Sequence, residues 1–369
     1  MIKIGDWVSK VKRVLHFQGR MGKGGAESFM MNLYRKIDRS KLQFDFLIYD
    51  DYADVTDYHD EIKRMGGRIF VVTNPKKNII KYWFDVKHLL REEHFDIAHN
   101  EVYFGGGINL LLARKQGIKK RIAHSHATSD GKSSNFVMNI LRRYLHYLLM
   151  KEATDFLAVS KEAGDSLFQG HSYTIIHNGI DISLYNPNEQ VRQEKRKELG
   201  LLQDDFVIGN IGRLEKQKNQ VYLIDVFNEL VKINNQAKLI IVGAGSLREI
   251  LEKKISDYNL SDRVLLLGER EDIPGILQAI DVFCMTSLYE GLPMVGLEAQ
   301  ASRKKLVLSE TISKDTKVTP NVVFIGLDEP KEKWISTILE KPFGNEMTDE
   351  LMEYDVSHTL AQMSKIYDI

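Results

Sequence analysis

Leu288-Tyr289-Glu290-Gly291-Leu292-Pro293-Met294-Val295-Gly296-Leu297-Glu298-Ala299-Gln300 follows an apolar run, Val282-Phe283-Cys284-Met285, and leads into a helix. The apolar run reads as a buried strand. Pro293 suits the first helical position, where its missing N–H costs nothing and its fixed φ is already helical. Gly291 lets the backbone turn tightly and approach a ligand. A strand, a turn and a helix in this order leave unbonded N–H groups at a helix mouth, a ready site for a phosphate. Glu290 stands just before that mouth. Glu298 falls four residues after Met294 and can lie on the face that turns back over the helix start. A carboxylate there can accept from both hydroxyls of a sugar diol. A solvated helix glutamate and a loop glutamate would show the same spacing.

Outward from this stretch, strand-like runs alternate with helical patterns along the whole chain. Strands are predicted at 11–17, 44–49, 68–73, 95–99, 120–123, 155–159, 173–177, 206–211, 239–242, 264–267, 282–285, 305–308 and 322–325. Closing helices are predicted at 331–339 and 347–367. The alternation points to βα units around parallel sheets. Between the strands at 206–211 and 239–242, Gly212-Arg213-Leu214-Glu215-Lys216-Gln217-Lys218-Asn219 carries Arg213 and Lys218 across one turn. A planar guanidinium and a mobile ammonium there can converge on a single anion, although basic residues in such turns are often simply solvated. After the first strand, the glycine-rich turn 19–27 includes Gly24 and Gly25, whose amides can approach a phosphate or a sugar. Its glycines do not fit Gly-x-Gly-x-x-Gly, and it can equally be a plain connection. The run 121–128 ends a strand with His124 and His126, one of which should point out of the carboxyl end of the sheet toward a sugar hydroxyl or a phosphate. An amphipathic helix is predicted at 135–150, carrying Arg142, Arg143, Tyr144, His146 and Tyr147. Such a face can seat on anionic lipid headgroups or be an ordinary charged surface.

The 369 residues are long for one domain and ample for two. Formal charge is zero, yet residues 1–180 hold 28 Lys and Arg against 20 Asp and Glu, and the remainder 23 against 31. The basic first half suggests an anionic partner or surface. Cys284 is the single cysteine, so no disulfide can form within the chain and a reducing cytoplasm is expected. No apolar run approaches the ~20 residues that span a bilayer. The first residues lack an apolar stretch of signal-peptide length. A soluble protein, at most lying on a membrane surface, is expected.

Taken together, Glu290-Gly291-Leu292-Pro293 with Glu298-Ala299-Gln300, Gly24-Gly25-Ala26-Glu27, His126-Ala127-Thr128, Asn178-Gly179-Ile180-Asp181, Gly212-Arg213-Leu214 with Lys218, and Val242-Gly243-Ala244-Gly245 resemble the retaining glycosyltransferases of family 4, in particular the bacterial exopolysaccharide and capsule branch. The resemblance covers nearly the whole chain. His177 stands where the family has proline before Asn-Gly-Ile-Asp, which bears on the local turn alone. The resemblance implies an α/β protein of the GT-B fold, with two facing Rossmann-like domains, a cleft between them and a C-terminal helix crossing back to the N-terminal domain. Expected boundaries are 1–185 on the acceptor side, 186–345 for the nucleotide sugar, and 346–369 for the returning helix.

The resemblance also implies roles. Arg213 and Lys218 would clamp the donor diphosphate, Glu290 with Gly291, Leu292 and Pro293 would lie by the donor sugar, and Glu298 would hold the ribose. His126 rather than His124 would contact the sugar, Gly24 and Gly25 would face donor or acceptor, and backbone near Arg270 would meet the nucleobase. Catalysis would rest on Glu290, His126, Arg213 and Lys218, with Glu290 positioning the sugar rather than attacking it. The chain contains no Asp-x-Asp, the usual metal-chelating motif of the other major glycosyltransferase fold, so neither metal nor cofactor is expected. The donor would be a nucleotide sugar, UDP-linked, and the acceptor a saccharide, lipid-linked at the inner face of the cell membrane. A peripheral membrane contact through the N-terminal domain is expected, and no nucleic-acid partner. Two other readings fit the same architecture: a sugar-nucleotide epimerase or hydrolase, and a non-catalytic nucleotide-sugar-binding partner subunit. A dinucleotide oxidoreductase fits poorly, because the glycine pattern fails and neither Asp50 nor Asp51, at the end of the second strand, is assigned as an acidic ribose reader.

Overall fold

The apolar runs become thirteen strands among residues 11–22, 24–126, 136–344 and 347–369, the residues that this computed structural model describes, and each falls within two residues of its expected limits. β1 (Lys12–Gly19), β2 (Leu42–Tyr49), β3 (Ile69–Val72), β4 (Ile97–Asn100), β5 (Lys120–Ser125), β6 (Asp155–Ala158) and β7 (Thr174–Ile175) form one sheet in the order β3-β2-β1-β4-β5-β6-β7. β8 (Phe206–Ile211), β9 (Ala237–Val242), β10 (Val264–Gly268), β11 (Val282–Met285), β12 (Lys305–Ser309) and β13 (Val322–Ile325) form a second in the order β10-β9-β8-β11-β12-β13. Every pairing within these sheets is parallel. The first sheet belongs to a unit made of Met1–Gly179 and Val356–Ile369, the second to Ile180–Asp355.

Each sheet is covered on both faces, as parallel sheets require. In the second unit Ile240, Val242, Phe283, Met285, Leu306 and Leu308 face one core, while Leu239, Ile241, Val282, Cys284 and Val307 face the other. The first unit divides in the same way, with Val14, Phe44, Phe46 and Ile122 on one side and Leu15, Phe17, Leu47 and Ala123 on the other. The period of two along each strand sends neighbours to opposite cores.

The chain closes with a helix that packs back on the first unit. Helix Val356–Tyr367 lies against helix Gly25–Lys36, and its Met363 and Tyr367 enter the core that holds Phe29 and Phe44. The expected single helix over 347–367 is broken into Asp349–Met352 and Val356–Tyr367. Between them the Tyr354 carbonyl accepts from the Ile180 N–H at 2.8 Å, and Ile180 and Asp355 form a parallel bridge. That pairing takes the acceptor which a continuous helix would use for its own ladder.

The turns at the carboxyl end of the second sheet nest closely. Leu214 N–H donates to the Ala244 carbonyl and Leu247 N–H to the Leu214 carbonyl, both at 2.9 Å. Gly243 has φ +138°, and a Cβ there would sit 2.1 Å from the Gly212 carbonyl oxygen. Gly245, with φ +155°, would place one 2.4 Å from the Leu214 oxygen. Both demands, a left-handed φ and backbone contact, exclude a side chain. Gly243→Ala is therefore expected to destabilise the second unit by roughly 2 kcal/mol or more, read as a lowered denaturation midpoint with the first unit's transition unchanged.

Candidate active site

The order of strands brings the expected donor residues together. In the second unit β8 lies between β9 and β11, because the chain extends the sheet on one side through β10 and then returns to extend it on the other. The turns after β8 and β11 are thus neighbours at the carboxyl ends, where open α/β sheets take their ligands. Arg213 and Lys218 stand on the first turn, Glu290 to Pro293 on the second. The two are tied: Leu288 N–H donates to the Gln217 carbonyl (2.7 Å), Gln217 Nε2 to the Tyr289 carbonyl (3.0 Å), and the Thr286 hydroxyl to the Asn219 carbonyl (2.9 Å).

Lys218 Nζ lies 2.5 Å from Glu290 Oε1, with both side chains largely buried. The stem of Lys218 runs over Gly212, where a Cβ would come within 3.2 Å of it. Arg213 behaves differently. Its side chain is 68% exposed and its guanidinium donates to Glu215 at 2.8 Å. The structure therefore places Arg213 on the same turn as Lys218 but on a different partner.

Helix Met294–Ala301 begins one residue later than its sequence predicts. Pro293, with ψ 115°, is the N-cap and not the first helical residue. Gly296 N–H reaches back to the Pro293 carbonyl at 2.9 Å, while the amides of Met294 and Val295 precede any intrahelical acceptor. The partial positive charge of this first turn faces out of the sheet end. Gly291 lacks a left-handed φ and a Cβ there would meet nothing within 4 Å, so the turn itself does not demand glycine. Leu292 anchors the turn on the apolar core. Inside the helix, Glu298 hydrogen-bonds the Tyr185 hydroxyl, and burial pushes its carboxyl up to about 7 against the opposing pull of that hydrogen bond. Arg270, between β10 and helix Ile273–Ala279, is held by Asp272 at 2.6 Å and Glu198 at 2.7 Å, so its side chain is already engaged.

In the first sheet β1 has the place that β8 has in the second. Gly24 is the N-cap of helix Gly25–Lys36, and a Cβ on it would lie 2.3 Å from Oε2 of Glu27. Glu27 folds back over the helix mouth and is held by Arg20 at 2.8 Å, so this mouth already carries a carboxylate. Gly25 is exposed, with open space beside it.

His126 follows β5, its Nε2 2.6 Å from Glu101 Oε2 and its Nδ1 buried without a partner among the described residues. His124 is fully buried, its ring stacked on His99 and its Nδ1 3.2 Å from His99 Nε2. His16, the register partner of His99, has Nδ1 3.0 Å from Glu101 Oε1. His99 Nδ1 is 2.7 Å from the Tyr367 hydroxyl. Burial lowers the pKa of His16, of His124 and of His99, the last to about 3. Burial pushes Glu101 up, but the surrounding imidazoles outweigh it and hold the carboxyl well below its usual range. Two sets of ligand-type atoms, His16, His99 and Glu101, and Glu101, His124 and His126, lie within 4.8 Å of one another, close enough to approach a cation.

Sequence reading passed over Glu101, His16, His99, Tyr185 and Tyr367. A signal existed for Glu101: it stands two residues after His99 at the end of β4, the spacing that singled out His124 and His126 on the next strand. Ala127 and Thr128 of the His-x-Thr motif, and residue 135 of the predicted amphipathic helix, lie outside the described residues. The helix itself spans Phe136–Glu152 and exposes Ile140, Leu141, Tyr144 and Tyr147.

Residues 23–184 match the model described as Glycosyltransferase Family 4, and residues 191–326 that described as Glycosyl transferases group 1. A putative glycosyltransferase of Bacillus subtilis, EpsF, is 33% identical over 98% of this chain and 97% of its own. The UDP-Gal:alpha-D-GlcNAc-diphosphoundecaprenol alpha-1,3-galactosyltransferase of Escherichia coli is 30% identical over 72% of each chain. Among solved structures, HepE of Anabaena in complex with UDP superposes with a TM-score of 0.75 at 22% identity, covering 97% of this chain and all of that one. The site at the β8–β11 switch point stands on the fold of these enzymes, and the chain belongs to the family 4 glycosyltransferases, with their GT-B arrangement of two Rossmann-like units.

Proposed function

We propose that the chain moves a sugar from a UDP-linked donor to a lipid-linked saccharide, with retention of anomeric configuration and without a metal, in the making of exopolysaccharide or capsule. The observation that carries this reading is the contact of Lys218 with Glu290 beside the amides that open helix Met294–Ala301. An ammonium, a helix mouth and a carboxylate at one point suit a pyrophosphate on one side and a sugar on the other. Lys218, the exposed Arg213 and the amides of Met294 and Val295 take the charge that develops as the diphosphate leaves. Glu290, with the backbone of Gly291, Leu292 and Pro293, orients the sugar. Glu298 accepts the ribose hydroxyls, and backbone beside Arg270 meets the nucleobase. On the first unit, Gly24, Gly25 and His126 are assigned to substrate. The acceptor hydroxyl attacks the anomeric carbon on the face from which the phosphate departs. The sugar–phosphate bond breaks, the new glycosidic bond forms, and the leaving phosphate oxygen takes the acceptor's proton. No protein nucleophile is required.

UDP and a lipid-linked acceptor are supported by the Escherichia coli relative, a UDP-Gal enzyme acting on a diphosphoundecaprenol-linked sugar, and by the complex of Anabaena HepE with UDP. A peripheral seat on the inner face of the cell membrane is supported by the exposed Ile140, Leu141, Tyr144 and Tyr147 on one helix with exposed Arg143. Among the described residues no helix is long and apolar enough to cross a membrane.

The test is release of nucleotide diphosphate from a panel of nucleotide sugars, with and without lipid-linked acceptor and with chelator in excess. Acceptor-dependent consumption of a UDP-sugar that persists in chelator is expected; loss in chelator, or consumption without acceptor, would replace this reading. In the same assay Lys218→Ala is expected to lower turnover by about 10²-fold, in the range of a lost transition-state donor, and Arg213→Ala to lower it too. The pH response should come from Glu298. Its folded-state pKa is raised to about 7, so the carboxylate that accepts ribose hydroxyls is mostly protonated at pH 6 and mostly ionised at pH 8. Donor affinity should then rise about tenfold across that interval, with proton release on binding at pH 6 seen by calorimetry in buffers of different ionisation heat. Glu298→Gln should flatten the profile. Vesicles containing phosphatidylglycerol should co-sediment the protein at low salt, and Tyr144→Ser with Tyr147→Ser should abolish this.

A further inference from the structure

The first unit buries a carboxylate that, among the described residues, pairs with imidazoles and with no arginine or lysine. Glu101 is fully buried in its side chain, and its two oxygens are divided between His16 Nδ1 at 3.0 Å and His126 Nε2 at 2.6 Å. His99 and His124 approach at 3.3 and 3.5 Å and hydrogen-bond each other. A carboxylate only accepts, so the ring nitrogens it touches on His16 and His126 must carry the protons. In its neutral form each of these rings then keeps a bare lone pair on its far nitrogen. Those far nitrogens, His16 Nε2 and His126 Nδ1, are buried without a partner among the described residues, as is Nε2 of His124.

A cation among the same atoms fits less well. It would need the lone pairs on the near nitrogens, which moves the protons of His16 and His126 to their far nitrogens. Both would then be buried donors without acceptors, the less tolerated kind of orphan. Histidines that bind metals donate their other N–H to a partner, and neither ring has one there. The His16 ring packs against the rings of Phe44 and Phe46, with centroids at 4.4 and 5.4 Å. His126 differs, since 9% of its side chain remains exposed.

We propose that Glu101 is a positioning residue for His126: it holds the imidazole as the Nε2–H tautomer, so that Nδ1 offers a lone pair to a hydroxyl of the sugar substrate. The partner of Nδ1 must be a donor. A hydroxyl meets that condition and a phosphate oxygen does not, which settles which of the two a histidine at this strand end can read. Rotation of the ring is opposed by Phe29, at 5.6 Å between centroids, and by His124 at 4.1 Å. The proposal rests on the assignment of His126 to substrate made above.

Protein labelled with 15N-histidine tests it without turnover. Long-range nitrogen–proton correlation spectra, with His126 identified by its loss in His126→Asn, should show Nε2 protonated and Nδ1 bare in the wild type. Glu101→Gln can donate to Nε2 and should move the proton of His126 to Nδ1. In the transfer assay Glu101→Gln and His126→Asn should each lower kcat by about tenfold to a hundredfold, the worth of one buried hydrogen bond, with UDP affinity unchanged and Glu101→Asp recovering part of the loss. A wild-type spectrum with Nδ1 protonated, or stoichiometric zinc in the purified protein, would overturn the role of Glu101 whatever the enzyme does. Normal kcat in Glu101→Gln would overturn it as well. Normal turnover in His126→Asn would remove the assignment of His126 to substrate and the proposal with it, while the donor residues of the second unit stood untouched.

Discussion

A strand with a parallel neighbour on each side is reached by the chain repeatedly from the same end, and in this protein that constraint decides where polar chemistry can stand. β1 and β8 are such strands. Every crossover helix returns the chain to the amino end of its sheet, so the turns at the carboxyl end collect unbonded amides and side chains with no helix to cover them. Elsewhere the alternation of apolar residues seals both faces of each sheet. Lys218 and Glu290 meet because β8 and β11 are neighbours, and His16 and Glu101 because β1 and β4 are. The same topological event, repeated in two units, produces two polar sites of opposite character.

The difference lies in how each buried carboxylate is compensated. Glu290 faces one ammonium, which a phosphate can also attract, so the pair can exchange partners when a charged ligand enters. Glu298 faces a neutral hydroxyl, which satisfies a lone pair but leaves the charge uncompensated, and its proton is retained to near neutrality. Glu101 faces rings whose burial keeps His16, His99 and His124 neutral. A family of like side chains thus supplies a switchable pair, a titrating acid and a fixed acceptor, according to what stands opposite.

Much of this was legible in the sequence, because the parallel strands are short, apolar and punctuated by glycine, and their positions follow from local pattern alone. The turn residues Lys218 and Glu290 were legible for the same reason: each sits in a strand-to-helix turn. What escaped reading depends on partners distant in the chain. His16 sits inside an apolar strand, where one imidazole gives no local sign of the carboxylate it meets after β4. Arg213 stands on the same turn as Lys218, as its position in the sequence indicates, but its pairing with Glu215 was not foreseen. Pro293 was expected inside the helix and caps it instead, and the break before Val356 follows from the Ile180 pairing, which no local propensity encodes.

The closing helix has a bearing on how the molecule is made. Ile180–Asp355 is one uninterrupted segment, and it can complete its core as soon as it has left the ribosome. The earlier-synthesised unit cannot, although most of it emerges first. Its core lacks Met363 and Tyr367, the Tyr367 ring beside Phe44, and the hydroxyl that reaches His99, until helix Val356–Tyr367 arrives. Ile180–Asp355 can therefore complete its core before the unit with the imidazole cluster, which waits for helix Val356–Tyr367.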